Sequence, residues 1–289
     1  MSEITEKNKP ANQEEQEDQR SEKHENQENE EKDSTDYIPS SIQEFLITIG
    51  GVSSFSFKFF KQLFRPPIEF REFLRQSYSL GVNSLFLVGL SGLIIGMVMT
   101  LQVRPTMRDF GAEAWIPSMI SISIIREIGP VLTALICAGK VSSGIGAELG
   151  SMKVTEQIDA MTVSGAKPFN YLVVTRVLAT TIMVPILVIY ADFIALGGSY
   201  LAINLEREVT FDLFISQAFY ALSFNDIIPA VIKTFFFGFA IGIVGCYKGY
   251  QASGGTVGVG NAANSAVVLS SLLIFIIDLV AVQLKQFFF

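Results

Sequence analysis

Between Arg75 and Arg104 the chain runs for 28 residues without a charged side chain. About 20 apolar residues are enough to carry an α-helix across the hydrocarbon core of a bilayer. Four more apolar stretches follow, at residues 115–139, 177–205, 227–247 and 263–284, after a first centred on residues 80–101. Lipid offers no water to backbone N–H and C=O groups, so single-chain apolar spans satisfy them internally as helices. The expectation is an all-α integral membrane protein with about five transmembrane helices.

The charge is divided unevenly. Of 28 acidic residues, 13 lie in residues 1–36, against five Lys or Arg, so the sequence pI of about 4.9 belongs to that segment. A stretch such as Gln13-Glu14-Glu15-Gln16-Glu17-Asp18 has nothing to bury, and it cannot offset the entropy of ordering. Residues 1–36 therefore read as a disordered, acidic, solvated tail, without the basic start and apolar stretch of a secretory leader. The membrane domain, residues 37–289, opens with a helix over about 41–64. Ile42, Phe45, Leu46, Ile49, Val52, Phe59, Phe60, Leu63 and Phe64 recur there at spacings of three and four, and Pro66-Pro67 ends it. Its amphipathic pattern suits the membrane interface better than the membrane interior.

Basic residues give the orientation. With the N-terminus cytoplasmic, that side holds Lys58, Lys61, Arg65, Arg71, Arg75, Lys140, Lys153, Lys167, Arg176 and Lys248. The opposite side holds Arg104, Arg108, Arg207 and Lys285, a distribution that follows the positive-inside rule. The C-terminus then lies on the far side.

Ionisable groups fall at membrane depth in four places: Arg126-Glu127, Asp192, Lys233 and Asp278. Each costs roughly 2.5–3.5 kcal/mol at a helix centre on insertion scales, so all should face one another, a partner subunit or a wet cavity. They either lock helices together as ion pairs or line a pathway. Adjacent helical residues point about 100° apart, so Arg126 and Glu127 cannot simply neutralise each other. Gly129-Pro130 loosens the helix just after them. The lone histidine, His24, sits in the tail, and Cys137 and Cys246 sit in apolar segments. No metal, catalytic residue or nucleic-acid partner is expected.

Residues 150–167 read as a short helix on the cytoplasmic side. Val154, Ile158 and Met161 share a face, while Lys153, Glu156, Gln157 and Asp159 take the others. Three turns are marginal alone in water. The chain's own ends or a partner should cover the apolar stripe, and the pattern does not choose between them. The glycine-rich run Gly254–Gly260 follows no strand, which argues against dinucleotide binding. The motif G-x-x-x-x-G-K-[ST] does not occur, and the one Gly-Lys pair, Gly139-Lys140, is followed by Val141. Energy from ATP would have to come through another chain.

Arg126-Glu127-Ile128-Gly129-Pro130, Ala138-Gly139-Lys140, Ala147-Glu148-Leu149-Gly150-Ser151-Met152-Lys153 and Thr155-Glu156-Gln157-Ile158-Asp159-Ala160-Met161 resemble the central signature of the Mla/YrbE-type permeases. These are the membrane subunits of Mce-associated ABC lipid transporters. Gly245-Cys246-Tyr247-Lys248-Gly249 extends the likeness, which covers residues 40–285; Lys140 replaces an expected arginine. The resemblance implies a homodimer that carries no cofactor itself, with ATP and Mg on cytoplasmic ATPase subunits and a periplasmic Mce-domain protein on the far face. The substrate would be phospholipid or a similar lipid, moved between the cell inner membrane and the outer envelope, and the chain would not be an enzyme. Met152, Val154, Glu156, Gln157, Ile158, Asp159 and Met161 would form the helix that couples to the ATPase. Arg126, Glu127, Gly129 and Pro130 would lie by the lipid cavity. The competing expectation is a self-contained secondary transporter or channel, with Asp192, Lys233 and Asp278 as a proton or ion relay.

Overall fold

The computed structural model describes residues 40–64, 69–205 and 209–288. The acidic tail at residues 1–36 and Pro66-Pro67 lie outside the described residues. The chain divides into two compact units, Met1–Ser53 and Ser54–Phe289. The described part of the first is the opening half of helix α1 (Ser40–Leu63). In the second unit the remainder of α1 packs through aromatic edges. Phe55 meets Phe169 at a ring-centroid distance of 5.2 Å and Tyr247 at 5.7 Å, and the Lys58 ammonium sits 4.7 Å from the Phe169 ring.

Among the described residues, five helices are long and apolar enough to cross a membrane: α2 (Phe70–Asp109), α3 (Glu113–Val154), α5 (Phe169–Asn204), α7 (Phe224–Tyr250) and α8 (Gly255–Phe288). Two short helices join them, α4 (Gln157–Val163) and α6 (Phe211–Tyr220). The described residues contain no strand. The protein is an all-α, multi-pass integral membrane protein.

The spanning helices overrun the apolar stretches that announce them. α3 has 42 residues, about 60 Å at 1.5 Å per residue, twice the thickness of a hydrocarbon core. Apolarity marks only the part that lipid covers; hydrogen bonding carries the helix on through charged residues beyond it. The short helix expected within residues 150–167 is thus split. Residues 143–154 complete α3, the chain turns at Thr155-Glu156, and α4 follows. Likewise the glycine-rich connection after residue 254 is already the first turns of α8. Within the expected polar loop 206–226, α6 buries Phe214 and Ala218 against Ile116, Ile120 and Ile124 of α3 and Ala195 and Ile203 of α5. Its spacing of four between those two residues is helical, but the flanking polar residues disguise it.

Small residues bring the backbones together. α2 and α5 share the most extensive helix pair in the molecule. A Cβ on Gly92 would lie 2.8 Å from the Ala191 carbonyl oxygen, and one on Gly96 2.9 Å from the Ala195 Cα. Gly238 and Gly242 of α7 give way in the same manner to Thr181 and Val177 of α5, and Gly245 and Gly249 to Ser142 and Gly146 of α3. This is the small-xxx-small packing of membrane helices, in which contact and interhelical hydrogen bonds replace the hydrophobic drive of water. Thr100 donates to the Ser199 hydroxyl at 2.8 Å, and the hydroxyls of Ser142 and Ser270 lie 2.8 Å apart. Gly96→Ala should cost about 1–3 kcal/mol, the usual penalty of overpacking. Gly139, with no atom within 4 Å of its notional Cβ, should accept alanine freely. Thermal unfolding of the two detergent-solubilised variants checks this; equal melting temperatures would contradict so close an approach of α2 and α5.

Candidate functional site

The site is built from the start of α7 inward. Ser223 caps this helix, and Asp226 closes the capping box from the third helical position, where a carboxylate also complements the helix dipole. Its Oδ2 lies 2.9 Å from the Ser223 hydroxyl. Its Oδ1 accepts from Lys285 Nζ of α8 at 2.8 Å and pairs with Arg126 Nη2 of α3 at 3.1 Å.

Lys233 lies seven residues further along α7, about 10 Å deeper at 1.5 Å per residue. Its ammonium donates to Glu127 Oε2 of α3 at 2.6 Å and to Asp278 Oδ1 of α8 at 2.8 Å. The Lys233 side chain is only 5% exposed, whereas Glu127 is 47% exposed. Glu127 is therefore both a partner of a buried cation and part of a surface, so the locking and lining roles meet in one side chain. Arg126 and Glu127 each look away from the other, as their adjacency requires.

A π-helical turn, Ile124–Ile128, presents the pair. Pro130 has no N–H to give to the α3 ladder, and the Gly129 N–H reaches back five residues to the Ile124 carbonyl. Such turns are frequent at functional sites. Gly129 also admits Asp192 of α5, whose carboxylate occupies the space a Cβ would need. Asp192 Oδ1 is buried without a hydrogen-bond partner. Asp192 and Pro130 line an apolar cavity of about 210 Å³, so Asp192 stands behind the ion cluster without joining it.

Two larger spaces meet at this cluster. A cleft of about 790 Å³ carries the charges of Arg126, Glu127, Asp226 and Lys285 on a lining that also includes Ile122, Ile128 and Val282. An apolar groove of about 560 Å³ runs between α7 and α8 along Ile228, Ile232, Phe236, Ile276, Val280 and Leu284. Asn225 and Lys285 border both. The structure thus brings Arg126, Glu127, Gly129, Pro130, Lys233 and Asp278 to one place and adds Asp226 and Lys285. The sequence signal for Asp226 was the Ser-x-x-Asp capping pattern; Lys285 carried none beyond its charge.

At the opposite end, α3 and α4 meet in a sharp corner. Glu156 takes a left-handed backbone conformation, φ 58°, uncommon for a residue with a side chain. Lys153 pairs with Asp159 across the corner at 3.0 Å. Ile158 is only 3% exposed, so the chain itself covers the centre of the expected apolar stripe. Met152, Val154 and Met161 are half-buried. Glu156, Gln157 and Asp159 face outward with Val163, which is 90% exposed and was not singled out from the sequence. Nearby, the fully buried Arg176 of α5 donates to Glu148 of α3 at 2.8 Å and to the Leu172 carbonyl at 2.9 Å.

Five apolar helices, three of which supply an ion cluster bordering a cleft, define a polytopic membrane protein. A family model of the permease MlaE matches residues 73–284. The chain belongs to the MlaE permease family, the permeases of ABC transporters. It is 37% identical over 241 residues to a probable ABC transporter permease protein of Rickettsia felis, covering 83% of this chain and 93% of that one. A Synechocystis protein of the same description is 35% identical over 217 residues, covering 75% and 82%. The chloroplastic protein trigalactosyldiacylglycerol 1 of Arabidopsis thaliana is 33% identical over 228 residues, covering 79% and 64%.

Removing Lys233 should be costly, because Glu127 and Asp278 would lose their shared cation. Breaking a buried pair typically costs 3–5 kcal/mol, and the exposure of Glu127 places Lys233→Met near the lower figure. Adding Glu127→Gln and Asp278→Asn should restore most of the loss. Melting temperatures of the single and triple variants decide it, and a triple variant no more stable than the single one would count against the shared pairing.

Proposed function

We propose that this chain is the lipid-handling permease subunit of an ABC transporter that moves phospholipid, or a similar lipid, between the cell inner membrane and the outer envelope. The observation that carries the proposal is a charged cleft that shares Asn225 and Lys285 with an apolar groove, a pairing that suits an amphiphile. A family relative named after a glycerolipid supports the same reading. Two copies form the transport core, since five helices are few to enclose a lipid pathway. ATP and its Mg are bound and hydrolysed on separate cytoplasmic subunits, and a periplasmic Mce-domain protein receives or delivers the lipid.

The N-terminus and α4 lie on the cytoplasmic side, the cleft and the C-terminus on the periplasmic side, and α1 rests in the interface with Phe57, Phe60 and Phe64 exposed. The ATPase docks on the outward face of α4, at Glu156, Gln157, Asp159 and Val163. Because Ile158 is buried, a charge there would disturb this chain as well as the contact, and Val163 is the cleaner probe. Burial of Val163 and its neighbours in a groove contributes on the order of a few kcal/mol at about 25 cal/mol per Å².

Val163→Asp and Glu156→Lys should each lower co-purification of the ATPase about tenfold or more, the equivalent of some 1.4 kcal/mol, while the permease stays folded. Retention of the ATPase by both variants would remove α4 as the docking element. Reconstitution tests the function itself: lipid movement should require both the ATPase and ATP. Movement by this chain alone, driven by a proton or ion gradient, would favour the relay through Asp192, Lys233 and Asp278 instead.

A further inference from the structure

The ion cluster is neutral as a whole, with Arg126, Lys233 and Lys285 against Glu127, Asp226 and Asp278. Its pairing is uneven in space. At the mouth, two cations, Arg126 and Lys285, share the single carboxylate of Asp226. Deeper in, two carboxylates, Glu127 and Asp278, share the single ammonium of Lys233. One end of the cluster therefore carries an excess positive charge and the other an excess negative charge. Consecutive residues of α3 bring the two poles to the same cleft. Arg126 is 40% exposed and Glu127 47% exposed, and both line its wall.

We propose that this cleft selects a zwitterionic glycerophospholipid bearing a free ammonium, with the phosphate at Arg126 and Lys285, the ammonium at Glu127 and an acyl chain in the α7–α8 groove. The inference rests on the lipid-permease reading and specifies its headgroup. A phosphodiester accepts hydrogen bonds from the guanidinium and ammonium without replacing Asp226, since both donors have N–H groups to spare. A primary ammonium donates to the exposed carboxylate of Glu127 while Lys233 keeps its hold on the same side chain. The groove continues from Asn225 and Lys285 at the helix ends toward Phe236 and Ile276 nearer the middle of α7 and α8. That is the direction an acyl chain takes when its headgroup stays at the membrane surface. A headgroup with a phosphate alone would leave the negative pole unanswered and bring a second anion toward Glu127.

The test uses the full-length protein in detergent, offered equal amounts of dioctanoyl phosphatidylethanolamine and dioctanoyl phosphatidylglycerol, with bound lipid counted by native mass spectrometry. Phosphatidylethanolamine should be preferred by about tenfold, the scale of one charge-assisted hydrogen bond at a partly exposed site. Glu127→Gln should bring the ratio near one, Glu127→Asp should keep most of the preference, and Arg126→Gln should lower occupancy by both lipids. Wild-type protein that takes the two lipids equally, or favours phosphatidylglycerol, overturns the headgroup assignment and leaves the lipid permease standing, with no variant needed. So does a ratio unchanged in a folded Glu127→Gln protein. Failure of the wild type to bind either lipid overturns the lipid reading and the assignment together.

Discussion

The ammonium of Lys233 is the constraint around which the membrane domain is arranged. A lysine at membrane depth is costly unless charges meet it, and it cannot snorkel from a position whose side chain is 5% exposed. Glu127 comes to it from α3 and Asp278 from α8, so one side chain of α7 fixes three helices in register. The arrangement also explains why Glu127 can stand half in a cleft: its charge is already answered from behind. Asp226 repeats the device at the helix end with the signs reversed, holding α3 and α8 to α7 through Arg126 and Lys285. Two such clamps on the same three helices give the cleft rigid walls, and they create the separation of charge along it.

Electrostatics alone would not bring the helices this close. The glycines of α2 and α7 remove the side chains that would hold backbones apart, and α5, the most buried of the five spans, receives them on two sides. Close packing then places hydroxyls such as Thr100 and Ser199 within hydrogen-bonding distance. Gly129 shows the same economy of space inside the site. By omitting a Cβ it lets Asp192 lie against the π-helical turn, which in turn aims Arg126 and Glu127 in different directions.

Much of this was legible before the structure. The family signature pointed to the region around Arg126-Glu127 and to the stretch that became α4, and the cost of charge in lipid marked Asp192, Lys233 and Asp278. What the sequence leaves hidden has physical causes. Apolar stretches mark the spans but not the ends of the longer helices that contain them, because lipid contact and helix length are separate properties. The apolar pattern leaves open whether the chain or a partner covers Ile158, and the sharp corner at Glu156 folds it against its own chain. α6 was hidden in a polar loop because only two of its residues face the core fully.

The order of residues alone dictates the number of spans, their helical form and the presence of charges that must find partners. Those follow from local physics: a run of apolar residues, a backbone with no water to bond, and a fixed penalty for each ion. Which charges pair was decided only by tertiary structure. Lys233 meets Glu127 across 106 residues and Asp278 across 45, while Asp192 stays unpaired beside them. No spacing rule reaches that far, because such contacts depend on how closely and at what rotation three separate helices pack.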